Sequence, residues 1–419
     1  MKEDYLHYIW RLKRLKLHNL FLVDGRKLEV INTGWHNQDA GPDFFNGKIK
    51  IDNITWSGNI ELHIKSSDWY QHNHHLDSAY DNVVLHVVYE HDKEVVVDGA
   101  VVPTLTLSEI IDEKHLEKYG DLISKPIDFP CKENVPDSIF VDEQINTSLF
   151  QRLQRKANQL AEFNTSDNRK LFFVSVFQAF GGRVNKLPFI ELANTLPYEV
   201  LLKESWDQLK VDALIFGCAG FLNNDLNTSY HSELIEEWKA LKNKYQLQEM
   251  TVSSWKFGGV RPYNFPTFKL AQISAFLKSW QVTININDGA KETINKFKAL
   301  LDIELNPFWN THFKFEEESK NKLNTKISDN TKNLIIINGL VPYLVYLSQK
   351  NNKYELVDKA FSILENLPPE KNSITKKWSK IGIKAKNAGD SQGLIELKNE
   401  FCNFRRCLSC KIGHKILER

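Results

Sequence analysis

The stretch "GPDFFNGKIKIDNITWSGNIELHIKSSDW", Gly41 to Trp69, decides how this chain is read. Successive side chains of a strand point to opposite faces, so positions two apart share one. Glu61, His63 and Lys65 therefore line one side of a strand, with Ile60, Leu62 and Ile64 on the other, toward a core. Gly41-Pro42 turns the chain just before Asp43, and "FFNGKIKI" follows as a second strand. If these strands pair, Asp43 and Glu61 converge. Two carboxylates aimed at one point bind Mg²⁺ or Mn²⁺, because hard cations take oxygen ligands. An ion there polarises a phosphoryl oxygen and acidifies water, with His63 or Lys65 placed to orient that water or offset charge. The alternative is an edge strand with a solvated polar face.

The next segment, "SDWYQHNHHLDSAYDNVVLHVV", carries Asp68, His72, His74, His75, Asp77, Asp81 and His86. Six of the thirteen histidines fall at His63, His72, His74, His75, His86 and His91. Such density suits Zn²⁺, which takes imidazole and carboxylate ligands, or supplies general bases beside the acidic pair. A polar loop whose His and Asp cap backbone groups explains it too. His86 sits inside "VVLHVV" and reads as a satisfied core histidine. No H-E-x-x-H spacing is present, so a zinc hydrolase built on the His72–His75 cluster ranks second.

Outward from this region the pattern changes twice. Helical periodicity runs from Tyr5 to Leu17, and strands follow from Phe21 to about Thr106, including "KLEVINTG" with Glu29 as a possible further acid. "SKPIDFPCKENVPD", Ser124 to Asp137, holds three prolines and reads as a linker. Beyond it, segments such as "FQRLQRKANQLAEF" and "SELIEEWKALKNKYQ" repeat apolar residues at three and four, as helices do. In "GGVRPYNFP", a proline-bounded loop, Arg261 and Asn264 are polar handles or scaffolding. The expected division is an α/β domain over 1–123, a linker over 124–137 and an α-helical domain over 138–419. For 419 residues, two or three domains are the natural count.

The formal net charge of +1 excludes nothing when taken over the whole chain. Its distribution is more informative: Glu370 to Arg419 holds twelve Lys/Arg against five Asp/Glu, and "QRLQRK" adds a second basic helix. Such stripes suit phosphate contacts, though a solvated helix face explains them nearly as well. The mean hydropathy of −0.40 and the lack of any apolar run of membrane length point to a cytoplasmic protein with no membrane partner.

The five cysteines do not form a secreted disulfide framework. "FCNFRRCLSCKIGHKIL" sets Cys402, Cys407 and Cys410 in the spacing C-x₄-C-x₂-C, which suits a tetrahedral thiolate site. Cys131 is the leading candidate for a fourth ligand, with His414 next, and the metal is Zn²⁺ or an iron–sulfur cluster. Cys218, in the apolar "LIFGCAGFL", reads as inert core.

Over about Tyr5 to Val97 the arrangement resembles the PD-(D/E)XK nuclease superfamily. In those enzymes an Asp near the start of one strand is followed, on the adjoining strand, by an acid-x-Lys pair. "PD" here is Pro42-Asp43 and the acid is Glu61, but His63 stands where Lys is expected, with Lys65 two residues on. One distant cysteine with three near the C-terminus is similar to the iron–sulfur staple of some members of that superfamily. "AGPDFFNGKIKI", "GNIELHIKSSDWYQHNHHLDSAYDNVVLHVV", "RPYNFP" and "CNFRRCLSCKIG" together resemble a bacterial family of unknown function, DUF2851. The expectation is a PD-(D/E)XK-like α/β domain with a mixed sheet, followed by a mainly helical domain. Its first function is an Mg²⁺- or Mn²⁺-dependent nuclease using Asp43, Glu61, and His63 or Lys65. A non-catalytic nucleic-acid-binding or assembly protein with a structural metal, and the zinc hydrolase, are the alternatives.

Overall fold

The computed structural model describes residues 2–418, except 14, 16–18, 38–39, 125–127, 164, 166, 224–225, 227 and 279–287. The chain forms two compact units: Met1–Gln144 with Lys398–Arg419, and Ile145–Leu397.

The first unit begins with α1 (Glu3–Arg11), whose inward face is Tyr5, Leu6, Tyr8, Ile9 and Trp10. Glu3 and Asp4 lie in its first turn, where carboxylates favour the positive end of the helix dipole. The expected helix continued to Leu17, but α1 stops at Arg11; residues 14 and 16–18 lie outside the described ones. The strands are β1 (Leu20–Phe21), β2 (Lys27–Asn32), β3 (Trp35–His36), β4 (Phe44–Ile51), β5 (Ile54–Lys65), β6 (Val83–Glu90), β7 (Val96–Val97), β8 (Ala100–Val101) and β9 (Thr104–Thr106). Seven of them make one mixed sheet in the order β1-β2-β4-β5-β6-β9, with β3 paired to β4 at its end. β7 and β8 form a separate hairpin.

Pairing is antiparallel from β1 to β5 and parallel from β5 to β9. A parallel return needs a crossover, and "SSDWYQHNHHLDSAYD" supplies it as α2 (Asp68–Gln71) and two 3₁₀ turns, His74–Leu76 and Ser78–Tyr80. Trp69 anchors this crossover, fully buried with Tyr80, Val83, Val95 and Val102. The histidines thus project from an ordered connection at the end of two parallel strands.

The helix α3 (Glu113–Ser124) follows the sheet. Of the expected linker, residues 125–127 lie outside the described ones, and the remainder turns so that Phe129 and Cys131 are buried. Lys398–Arg419 belongs to this unit and has polar anchors in it. Lys411 N donates to Gln144 Oε1 at 2.7 Å, and Lys398 Nζ donates to the Asp128 carbonyl at 2.9 Å.

The second unit is helical. Helices Asn168–Phe180, Gln208–Cys218 and Pro266–Leu277 are buried on nearly every side and share one large aromatic and aliphatic core, with Cys218 inside it. "NLIIINGLVPYLVYLSQ" passes through one wide π-helical turn, Ile336–Leu340, just before Pro342 removes a backbone donor. Among the described residues, no helix is long and apolar enough to cross a membrane.

Leu62, fully buried on β5, tests the sheet. Leu62→Ala is expected to destabilise the first unit by about 2–5 kcal/mol. Thr55→Ala, exposed on the same strand, should change stability by less than about 0.5 kcal/mol. Denaturant unfolding of the two variants beside the parent checks this.

Candidate functional site

The site follows from one register. Phe44 pairs with Ile60 across β4 and β5, so Asp43, one residue before the strand, stands beside Glu61. Directly opposed residues of an antiparallel pair point to the same face. Gly41 enables the approach with a φ of +103°, a conformation other residues adopt rarely. Asn37 ties down the turn by donating from Nδ2 to the Pro42 carbonyl at 3.1 Å, and its backbone N–H donates to the Asp43 carbonyl at 2.7 Å.

The two acids then lock each other. Asp43 N donates to Glu61 Oε2 at 2.9 Å, and Leu62 N donates to Asp43 Oδ2 at 2.9 Å. Each carboxylate is oriented by the backbone of the other's strand.

Two imidazoles lie beside the second oxygen of Glu61, and a third joins them through His63. Glu61 Oε1 lies 3.3 Å from His74 Nε2 and 3.7 Å from His63 Nε2, and His63 Nε2 lies 3.2 Å from His72 Nδ1. His63, His72 and His74 each offer a ring nitrogen within 4.8 Å of the others, a spacing that lets one cation be shared. The crossover fixes them: the His74 ring stacks on Tyr80 at 3.8 Å between centroids, and Trp69 meets His63, His74 and His86 edge-on. His86, on β6 and in register with Glu61, sets its Nε2 2.9 Å from His63 Nδ1. With the proton on His63 Nδ1 in that bond, the His63 Nε2 lone pair faces Glu61 and the other two imidazoles. His86 is the buried histidine its apolar flanks imply, and it also supports the site.

A second layer comes from α1. His7 Nε2 is 3.1 Å from Asp43 Oδ2, and its ring meets His36 and Phe44 edge-on. Glu3 lies one turn earlier on the same helix. Neither was singled out from the sequence, where their spacing of four was the available signal.

Burial, and then the Asp43 charge, push the Glu61 carboxyl well above the usual carboxylate range. The same two causes raise Glu3 to about 7. Burial lowers His63 to about 2 and His86 to about 3, with neighbouring imidazoles adding to it. Burial alone would lower His7, but the hydrogen bond and charge of Asp43 outweigh it and raise the group. The cluster therefore sets the neutral His63 imidazole beside carboxyls that resist ionisation, and a cation would relieve both conditions.

Other residues of the sequence reading lie elsewhere. Lys65 is half-exposed at the end of β5, 3.7 Å from Glu90, and does not join the cluster. Asp68 accepts from Lys65 N at 2.9 Å, and Asp77 accepts from Ala79 N at 2.9 Å. Both are backbone caps. His75 packs on Tyr70, and Glu29 is exposed opposite Lys50. Arg261 is exposed in the second unit, before the 3₁₀ turn Pro262–Asn264.

Beside His7 and His36 opens a cleft of about 610 Å³ between α1, α3 and the segment Phe404–Ser409. Lys2, Arg11, Arg405 and Arg406 line it against one acid, Asp4. Phe404, 61% exposed, carries the Arg406 guanidinium 5.1 Å from its ring. Behind this wall, Cys131, Cys402, Cys407 and Cys410 line a smaller cavity. His414 points to the Leu408 carbonyl instead. Burial raises the Cys131 and Cys407 thiols to about 12, which makes them poor nucleophiles.

A protein-family model described as protein of unknown function, DUF2851, matches residues 3–373. That span contains the acid and imidazole cluster and ends before Cys402. No curated protein and no solved structure matches the chain.

In the folded, metal-free protein Glu61 keeps a proton that the unfolded chain loses near the ordinary carboxylate range. Its contribution to stability therefore falls as pH rises through that interval. Glu61→Gln removes the dependence. Thermal melts in chelator should show the variant level with the parent near pH 4 and more stable than it near pH 9.

Proposed function

We propose that this chain, a member of the DUF2851 family of proteins of unknown function, is a metal-dependent nuclease whose centre is Asp43, Glu61, His63, His72 and His74. The observation that carries the reading is the position of Glu61 Oε1, 3.3 and 3.7 Å from two imidazole nitrogens of a three-histidine cluster and on a residue locked to Asp43.

The donor set fits a cation. Imidazoles and a buried carboxyl crowd together with no Lys or Arg among them in the described residues, and mixed nitrogen and oxygen ligands favour Mn²⁺ or Zn²⁺ over Mg²⁺. The helix, the antiparallel β2-β4-β5 and the parallel β6 are compatible with the PD-(D/E)XK order, with His63 in the Lys position. What a divalent ion supplies when bound is Lewis acidity toward a phosphoryl oxygen and toward water.

The chain's own residues do the rest. Glu61, His63, His72 and His74 would hold the ion, and the bond to His86 would keep His63 in its ligand tautomer. His7 and Leu62 N fix Asp43. Glu3, raised to about 7, is poised to take or give a proton near neutrality. The Arg-lined cleft supports a polyanionic substrate, because guanidinium groups pair with phosphate in forked geometry. Phe404 offers a ring on which an unpaired base stacks.

Mn²⁺ titration by calorimetry tests the centre without choosing a substrate. Glu61→Gln and His74→Ala should each weaken binding by at least about tenfold. Retained binding in both variants, or none in the parent even with an oligonucleotide present, rejects the nuclease. Arg405→Ala and Arg406→Ala should weaken oligonucleotide affinity regardless of sequence and reduce the salt slope by about 1 each. Filter binding across a salt series, repeated with both variants, reads this.

A further inference from the structure

Four of the five cysteines meet in one place, although Cys131 is separated from the other three by the whole of the second unit in sequence. Cys131 sits in the turn after Pro130, Cys402 ends the segment Leu397–Cys402, Cys407 opens the 3₁₀ turn Cys407–Ser409 and Cys410 follows it. All four are buried and none is in a disulfide. Packing alone does not require this, since an apolar pocket is filled more fully by Leu or Ile than by four small thiols.

The backbone around the cavity is shaped for sulfur. The N–H groups of Ile412 and Gly413 face the Cys410 sulfur. Gly413 itself lies against Cys407, where an added Cβ would come within 2.1 Å of the Cys407 carbonyl oxygen. Lys398 and Arg405 lie close enough to Cys402 and Cys407 to offset thiolate charge.

We infer that Cys131, Cys402, Cys407 and Cys410 form a thiolate-bound metal centre that clamps the segment bearing Phe404, Arg405 and Arg406 into the wall of the cationic cleft. Zinc and an iron–sulfur cluster share the ligand chemistry, four thiolates from short turns. As each sulfur–metal bond forms, a thiol proton leaves to solvent. The centre is independent of the histidine site, and its role is structural: it fixes where the guanidinium groups stand.

The test separates the two sites by working with His72→Ala/His74→Ala, in which any tightly held metal reports on the cysteines alone. Protein purified without oxygen is assayed for zinc, iron and acid-labile sulfide. About one zinc per chain, or iron with an equal amount of sulfide and visible absorption, is expected. Cys131→Ser in that background should lose most of it. Metal content unaffected by Cys131→Ser, or below about a tenth of an ion per chain before that substitution, overturns the inference. If the substituted protein fails to fold, thiol titration of the otherwise unaltered chain decides. Four thiols shielded until a chelating or mercurial reagent releases the metal uphold the centre, and four that react at once refute it.

Discussion

The pairing of Phe44 with Ile60 is the constraint on which the site rests. It brings Asp43 beside Glu61 and lets each strand's backbone donate a hydrogen bond to the other's carboxylate. Because strand side chains alternate, a slip of one residue would turn Glu61 and His63 away from Asp43 and bring Leu62 into their place. The apolar residues Ile60 and Leu62, both fully buried, oppose such a slip. Core packing on one face of β5 therefore holds the chemistry on the other.

Around that pair the protein concentrates groups that are costly to bury. Glu61 and His63 are almost wholly shielded from water, and the charge of His7 offsets only part of what burial and the Asp43 charge impose on Glu61. Burial of unpaired ionisable groups is ordinarily avoided or relieved by protonation. Here it shifts the carboxyl upward and the imidazole downward, so both are neutral near pH 7.

What was legible in the sequence follows from which periodicity governed each residue. The two-residue period of β4 and β5 was enough to oppose Asp43 and Glu61 and to add His63. It failed at Lys65 because each pair of residues advances the strand by nearly 7 Å, which carries Lys65 past the cluster to Glu90. In the crossover, composition showed a dense set of His and Asp but not the division of labour: His72 and His74 reach His63 and Glu61, while Asp68 and Asp77 cap backbone. Glu3 and His7 were hidden for another reason. They lie on a helix, and nothing local to α1 tells which strand it covers. That Cys131 lines one cavity with Cys402, Cys407 and Cys410 is a contact across most of the chain, which the proline-rich pattern around it does not carry. The mixed sheet followed by helices was readable from pattern, but the return of Lys398–Arg419 to the sheet unit was not.

That return has a consequence for how the protein is made. Residues 1–144 leave the ribosome first, yet the cleft wall and three of the four cysteines belong to residues synthesised only after the intervening helical unit. The sheet with its acid and imidazole cluster can fold early, from contacts close in sequence. Its cationic cleft stays half-built through the synthesis of more than two hundred residues, with the Cys131 thiol waiting beside it. The nascent chain thus acquires its cluster of acids and imidazoles well before it acquires the arginines of its cleft.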